Sequence, residues 1–177
     1  MTQLTRDQVE QIIKTARQRG EKPNLTEAHL NRADLSGADL TGADLSGLYL
    51  MGVSLRRANL TGANLSETTL IATNLEGAIL CGVNFYRAIL RGLNMSQADL
   101  TAANLTMANL TGTNLEEANL SHAIMVGVTL VSGDLTSTNL AGADLSGVNL
   151  NGTSYTYDTQ WPQGFDPVQT LAINYEA

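Results

Sequence analysis

The apolar positions of this chain recur every fifth residue. From Leu25 the step of five runs without a slip to Leu150, giving 26 positions, of which 23 are Leu and three are Phe85, Met95 and Met125. Two residues before each of these centres stands a small residue, most often Ala, and the residue immediately before is Asn or Asp in 18 of the 26. The two residues that follow are mainly Ser, Thr, Gly, Arg or Glu. A period of five fits neither a helix face, which repeats about every 3.6 residues, nor a strand, whose sides alternate. One interior for all the centres requires a chain that turns a corner every five residues. The centre and the small residue then point in, and the other three point out. Stacked turns of this kind form a solenoid whose coils bury their leucines against the coils above and below.

The number of sides per coil is legible in the inner small positions that are not Ala. Apart from Pro23 there are 12: residues 48, 53, 68, 73, 83, 93, 113, 128, 133, 138, 148 and 153. Three sides would spread them 4, 5 and 3 over the faces, which is no pattern. Four sides place ten of the 12 on two adjacent faces: Leu48, Thr68, Val128 and Val148 on one, Val53, Thr73, Leu93, Thr113, Gly133 and Thr153 on the next. The expectation is a square coil of 20 residues, with Leu60 below Leu80 rather than Leu75.

Both ends of the repeat change character. Before it, "LTRDQVEQIIKTARQRG" predicts a helix over 5–19. Thr5 and Gln8 form a capping box, Leu4 and Val9 a hydrophobic staple, and Gly20 a stop. Val9, Ile12, Ile13 and Ala16 make an apolar stripe expected to cover the first coil. The mixed charges of this helix do not suit a membrane surface. After the repeat, Tyr155, Tyr157, Trp161, Phe165 and Tyr175 are five of the eight aromatic residues. They are expected to close the last coil, Trp161 and Phe165 above all. Pro162 and Pro167 argue against a further regular coil. One domain results, with segments at 1–23, 24–155 and 156–177.

The motif A-[DN]-L-[ST]-x, as in "ADLSG" at 33–37 and "ANLTG" at 58–62, resembles that of the pentapeptide-repeat proteins. The resemblance covers 24 to about 155 and implies an all-β solenoid, the right-handed quadrilateral parallel β-helix. The tail "YDTQWPQGFDP" at 157–167 resembles the closing segment of many members, especially those abundant in cyanobacteria.

Catalytic chemistry finds no foothold in the residues. His29 and His122 fall on different faces, five coils apart, and cannot share a metal. The corner carboxylates Asp34, Asp39, Asp44, Asp99, Asp134 and Asp144 scatter over three faces, no two on neighbouring coils. Cys81 is the only cysteine and has no neighbouring His. No catalytic residue, metal ligand or cofactor site is expected. The Asn-x-Ser/Thr matches are products of the repeat grammar. Met1 to Gln11 lacks an apolar stretch and no run approaches a membrane span, so the expectation is a cytoplasmic protein with no membrane partner. The net charge of −7 raises one alternative: the resemblance includes members that mimic DNA and protect a type II topoisomerase from quinolones. Direct nucleic-acid binding lacks a basic patch.

One face breaks the corner rule. Of the eight corners that are not Asn or Asp, five share a side: His29, Tyr49, Thr69, Ile89 and Thr129. Two residues on, the same side carries Met51, Ile71, Arg91 and Val131, and Tyr86 and Arg87 stand across the adjoining corner. Tyr, Met and Arg are enriched at protein interfaces. The sequence therefore reads as a noncatalytic interaction module. Tyr49, Met51, Ile71, Tyr86, Arg87, Ile89, Arg91 and Val131 form its candidate contact face, toward a protein partner or a second copy.

Overall fold

The structure is a computed structural model and describes residues 3–175. Its unit is the corner. After 22 of the 26 centres the backbone N–H three residues on donates back to the centre's carbonyl, as from Ala33 to Leu30 (2.9 Å) and Ala58 to Leu55 (3.0 Å); the exceptions follow Leu50, Leu70, Leu90 and Leu130. The second residue of each turn has a positive φ at 25 of the 26 corners, and only 13 of those are Gly. This is the type II arrangement. Each of the twelve other residues there, Ala102 and Glu117 among them, bears a cost on the order of 1 kcal/mol.

The Asn and Asp corners offset that cost. In all 18, the side-chain Oδ1 accepts the backbone N–H two residues on, at 2.8–3.2 Å. The repeat therefore carries its own turn chemistry.

Coils stack in parallel at a step of 20 residues. Twenty-one of the 22 single-residue bridges join corners 20 apart, such as Asn59 with Ile79 and Asn84 with Asn104. Leu60 N–H donates to Ile79 O at 2.7 Å, so Leu60 lies beneath Leu80 and the coil has four sides. Asn side chains add rungs between coils: Asn64 to Asp44 (3.0 Å), Asn84 to Asn64 (3.0 Å) and Asn104 to Asn84 (3.3 Å). A second ladder climbs from Asp99 through Asn119 to Asn139. Both start on an Asp, which accepts but cannot donate.

The interior is leucine beside alanine. All 26 centres are buried, none more than 8 % exposed. Each leucine removed from water is worth about 1.5–3 kcal/mol. Inner threonines serve the backbone: the hydroxyls of Thr73, Thr113 and Thr138 donate to Leu50 O (3.1 Å), Leu90 O (2.6 Å) and Leu115 O (2.7 Å) in the coil below. Thr153 does the same to Leu130 O. In the same column Gly133 has no side chain, and a Cβ there would lie 2.7 Å from Leu130 Cδ1 and 3.2 Å from Thr113 O.

Helix α1 spans Arg6–Gln18, with the Thr5–Gln8 capping box formed and Gly20 at φ 68°. Val9 and Ile13 are buried in the same cluster as the coil leucines. Arg6 donates to Ser36 O (2.7 Å), and Arg17 grips Asp39 and Thr41 O at the other end of the helix. Ile12 corrects the expected stripe. It lies about a hundred degrees around the helix from Ile13 and remains 38 % exposed.

The C-terminal end also departs from expectation. Tyr155 continues the leucine column, buried, and one extra residue shifts the register so that Asn139 pairs with Gln160. The prolines do not stop the chain from circling. After a 3₁₀ turn at Pro167–Gln169, Ile173–Asn174 pairs in parallel with Ser154–Tyr155, so a further, irregular coil is laid down. Trp161 packs edge-on to Tyr155 (5.5 Å) and stacks on Phe165 (5.2 Å), both half-buried against the core. The turns and short strand that follow leave Val168, Leu171, Ile173 and Tyr175 exposed.

Candidate protein-contact face

At a corner without Asn or Asp, the N–H two residues on loses the bond from its own corner side chain. At two such corners, Tyr49 and Thr69, the backbone extends into short strands. β1 (Tyr49–Met51) and β2 (Thr69–Ile71) pair in parallel with Leu50 opposite Leu70. The Met51 N–H is taken by Asn31 Oδ1 of the coil below, at 2.9 Å. Alternation then sends Tyr49, Met51, Thr69 and Ile71 outward while Leu50 and Leu70 point in.

Tyr49 (52 % exposed), Ile71 (40 %) and Ile89 (43 %) line one groove with Arg91. Thr69, Gly92, Thr111 and Gly112 complete it. The sequence reading missed the two glycines, whose lack of a side chain leaves the groove open beside Arg91. Met51 is exposed at one end of the same column. Val131 stands two coils above Arg91, half-buried and outside the groove. Tyr86 and Arg87 stay at the adjoining corner, the guanidinium 5.2 Å from the ring centroid. Apolar exposure is not confined to this side: Ile79 and Ile124 are exposed corners on other faces, where each interrupts an Asn column.

Charge sets the face apart more sharply than hydrophobicity. The 20-residue step assigns each outward residue to one of four sides. All eleven carboxylates of residues 24–152 fall on the other three sides. The Tyr49–Ile89 side carries no Asp or Glu, and its only fixed charges are Arg32 and Arg91. On the other sides some acids are engaged, as in Arg56–Glu76 (2.7 Å) and Arg17–Asp39 (2.7 Å); Arg87 and Arg91, like Arg32 and Arg57, make no ion pair among the described residues.

Of the remaining candidates for chemistry, Cys81 is held in a hydrogen bond and His122 is an exposed turn residue. The Cys81 thiol donates to Asp99 Oδ2 at 3.1 Å; burial first, and then this carboxylate, push its pKa up to about 11. His122 lies against Gly142, where a Cβ would meet its Nδ1 at 2.6 Å. Among the described residues no cluster of His, Cys, Asp and Glu is arranged to hold a metal, and no helix is long and apolar enough to cross a membrane.

The comparisons agree with this architecture. A trypsin-treated form of QnrB1, a plasmid-mediated fluoroquinolone resistance protein, superposes with a TM-score of 0.57 at 20 % identity, over 82 % of this chain and 81 % of that one. A second trypsin-treated form gives 0.55 at 18 % identity with the same coverage. HetL, a pentapeptide-repeat protein involved in heterocyst differentiation regulation from the cyanobacterium Nostoc sp. strain PCC 7120, aligns over 98 % of this chain and 93 % of its own at 23 % identity, with a TM-score of 0.37. The two QnrB1 superpositions speak to the fold alone. Among curated proteins, none matches this chain. The family model "Pentapeptide repeats" matches in eight copies over residues 24–57, 49–86, 82–116 and 113–152. With its corner grammar and four-sided coil, the chain belongs to the pentapeptide-repeat family.

Proposed function

We propose that the chain is a noncatalytic protein-interaction module that presents its Tyr49–Ile71–Ile89 side to a protein partner. The observation that carries this reading is the coincidence of two departures on one side: the turn-forming Asn and Asp corners give way to exposed apolar residues, and carboxylates are absent. A wall selected for stability alone has no reason to give up its turn bonds where it also gives up its charge. Exposed apolar side chains gathered on one surface mark binding sites. The reading is noncatalytic because the corner carboxylates are committed to turns and the one thiol is held protonated.

A second reading, regulation of a type II topoisomerase by mimicry of DNA, draws on the net charge of −7. Against it, Asp39 and Glu76 are paired with arginines and two corner acids, Asp44 and Asp99, are bonded into Asn ladders. A supercoiling assay with and without the protein separates the two.

The experiment for the first reading compares three baits for protein capture: the wild type, Ile89→Asp with Arg91→Glu, and Ser121→Asp with Ala141→Glu on the opposite side. Only the first double variant is expected to lose its partner. Equal capture by both double variants overturns the reading.

A further inference from the structure

We infer that the groove between Tyr49 and Thr111 takes an acidic amphipathic helix of a partner protein, laid along the axis of the stack. The inference rests on the contact-face reading and adds the chemistry of what occupies the face.

Three observations point to this occupant. The first is charge. Arg91 stands alone in its column, between Ile71 below and Thr111 above, and no acid lies anywhere on this side of the coil. In a chain of net charge −7, an acid-free apolar groove with a free guanidinium favours a carboxylate from outside, since Arg pairs with carboxylates in a forked geometry. A second copy offering the same side would set arginine against arginine.

The second observation is that the wall has no open backbone edge. Within the groove β2 and the Ile89 bridge are paired to the coils above and below, and β1 is paired above and held below through the Arg32 N–H on Met51 O (2.7 Å) and Asn31 Oδ1 on the Met51 N–H (2.9 Å), so a partner strand cannot add here as it would to a sheet edge. Recognition here must pass through side chains.

The third is spacing. Successive coils present Tyr49, Thr69 and Ile89 in one column and Ile71, Arg91 and Thr111 in the next, with steps of about 4.8 Å. A helix advances about 5.4 Å per turn, so side chains at i, i+4 and i+7 stay nearly in step with three coils. The groove covers four coils, about 14 Å, which matches roughly ten residues of helix. Such a helix sets apolar residues against Ile71 and Ile89 and a Glu or Asp against Arg91. Gly92 and Gly112 leave room for its backbone to approach.

The test uses a displayed library of helical peptides with Leu fixed at i, i+4, i+7 and i+11 and all flanking positions randomised. It is selected on the full chain and counter-screened on Ile89→Asp and on Arg91→Glu, each first shown by circular dichroism and melting to keep the parent fold. The expected pool is enriched in Asp and Glu, and its clones lose at least tenfold in affinity on either variant. Clones lost on Ile89→Asp, but neither acidic nor sensitive to Arg91→Glu, overturn the acidic helix and leave the contact face standing. A pool with no clone sensitive to Ile89→Asp overturns both.

Discussion

Thr113 and Leu90 are 23 residues apart in the chain, yet the Thr113 hydroxyl donates to the Leu90 carbonyl at 2.6 Å in the buried interior. The bond ties one coil to the next where alanine would leave a carbonyl without this donor. Thr113→Val keeps the shape and removes the hydroxyl. The expected loss is about 1–3 kcal/mol, a fall in Tm of several degrees. Thr61→Val, at an outward position, should move Tm by far less. Equal effects in a melting experiment would show that the inner hydroxyls are incidental.

The left-handed corners make a prediction of opposite sign. Ala102 holds φ at 55° and Gly112 at 68°. Ala102→Gly relieves backbone strain at the cost of a more flexible unfolded chain, so stability should stay level or rise by less than about 1 kcal/mol. Gly112→Ala is the reverse exchange, straining the backbone while stiffening the unfolded chain, so stability should stay level or fall by less than about 1 kcal/mol. Chemical denaturation of the pair checks the sign.

The attachment of α1 should depend on acid. Arg17 donates two hydrogen bonds to Asp39, at 2.7 and 3.1 Å, and with Thr41 these hold the carboxyl well below the usual carboxylate range. A depressed pKa contributes stability that is complete above the unfolded value of about 3.9 and is lost as pH falls below it. Both side chains are substantially exposed, so solvent screens the pair and the effect is modest. Amide exchange along 6–18 should accelerate below pH 4 relative to the coils, and Asp39→Asn should show the faster exchange already at pH 7. Uniform protection across that range would contradict this role.

Cys81 should resist alkylation. With its thiol pKa near 11, the reactive thiolate is scarce at pH 8. Iodoacetamide should label it far more slowly than a free cysteine. Asp99→Asn removes the negative charge beside it and should speed labelling, although burial, the larger cause, remains.

The fold was legible because its grammar is local. The five-residue step of the centres fixes the corners, and the positions of Leu48, Val53, Thr68 and Leu93 fix four of them per coil. Less legible was why the second turn residue is so often Gly: the positive φ appears only once the turn is built. Ile12 was misplaced because a short apolar run does not say which helix edge meets the coil. The continuation past Pro162 was hidden because those residues follow no repeat, and only backbone bonds such as Gly152 to Leu171 (2.8 Å) reveal the extra coil. On the candidate face, Tyr49, Ile71, Ile89 and Arg91 were visible as exceptions to the corner rule. Gly92 and Gly112 were not, because a glycine in this repeat reads as turn chemistry whether or not it opens a groove.

The central claim is that the Tyr49–Ile89 side departs from the repeat for binding. It is tested most directly by restoring the repeat there. The triple variant Tyr49→Asn, Thr69→Asn and Ile89→Asn supplies three corner side chains able to make the turn bond seen at every other Asn and Asp corner, and removes the exposed rings and branches. Stability and partner affinity, measured on the same preparation, should move in opposite directions: Tm unchanged or higher, partner affinity reduced at least tenfold. A triple variant that binds its partner as the wild type does, at equal or higher Tm, would show that this side is only wall.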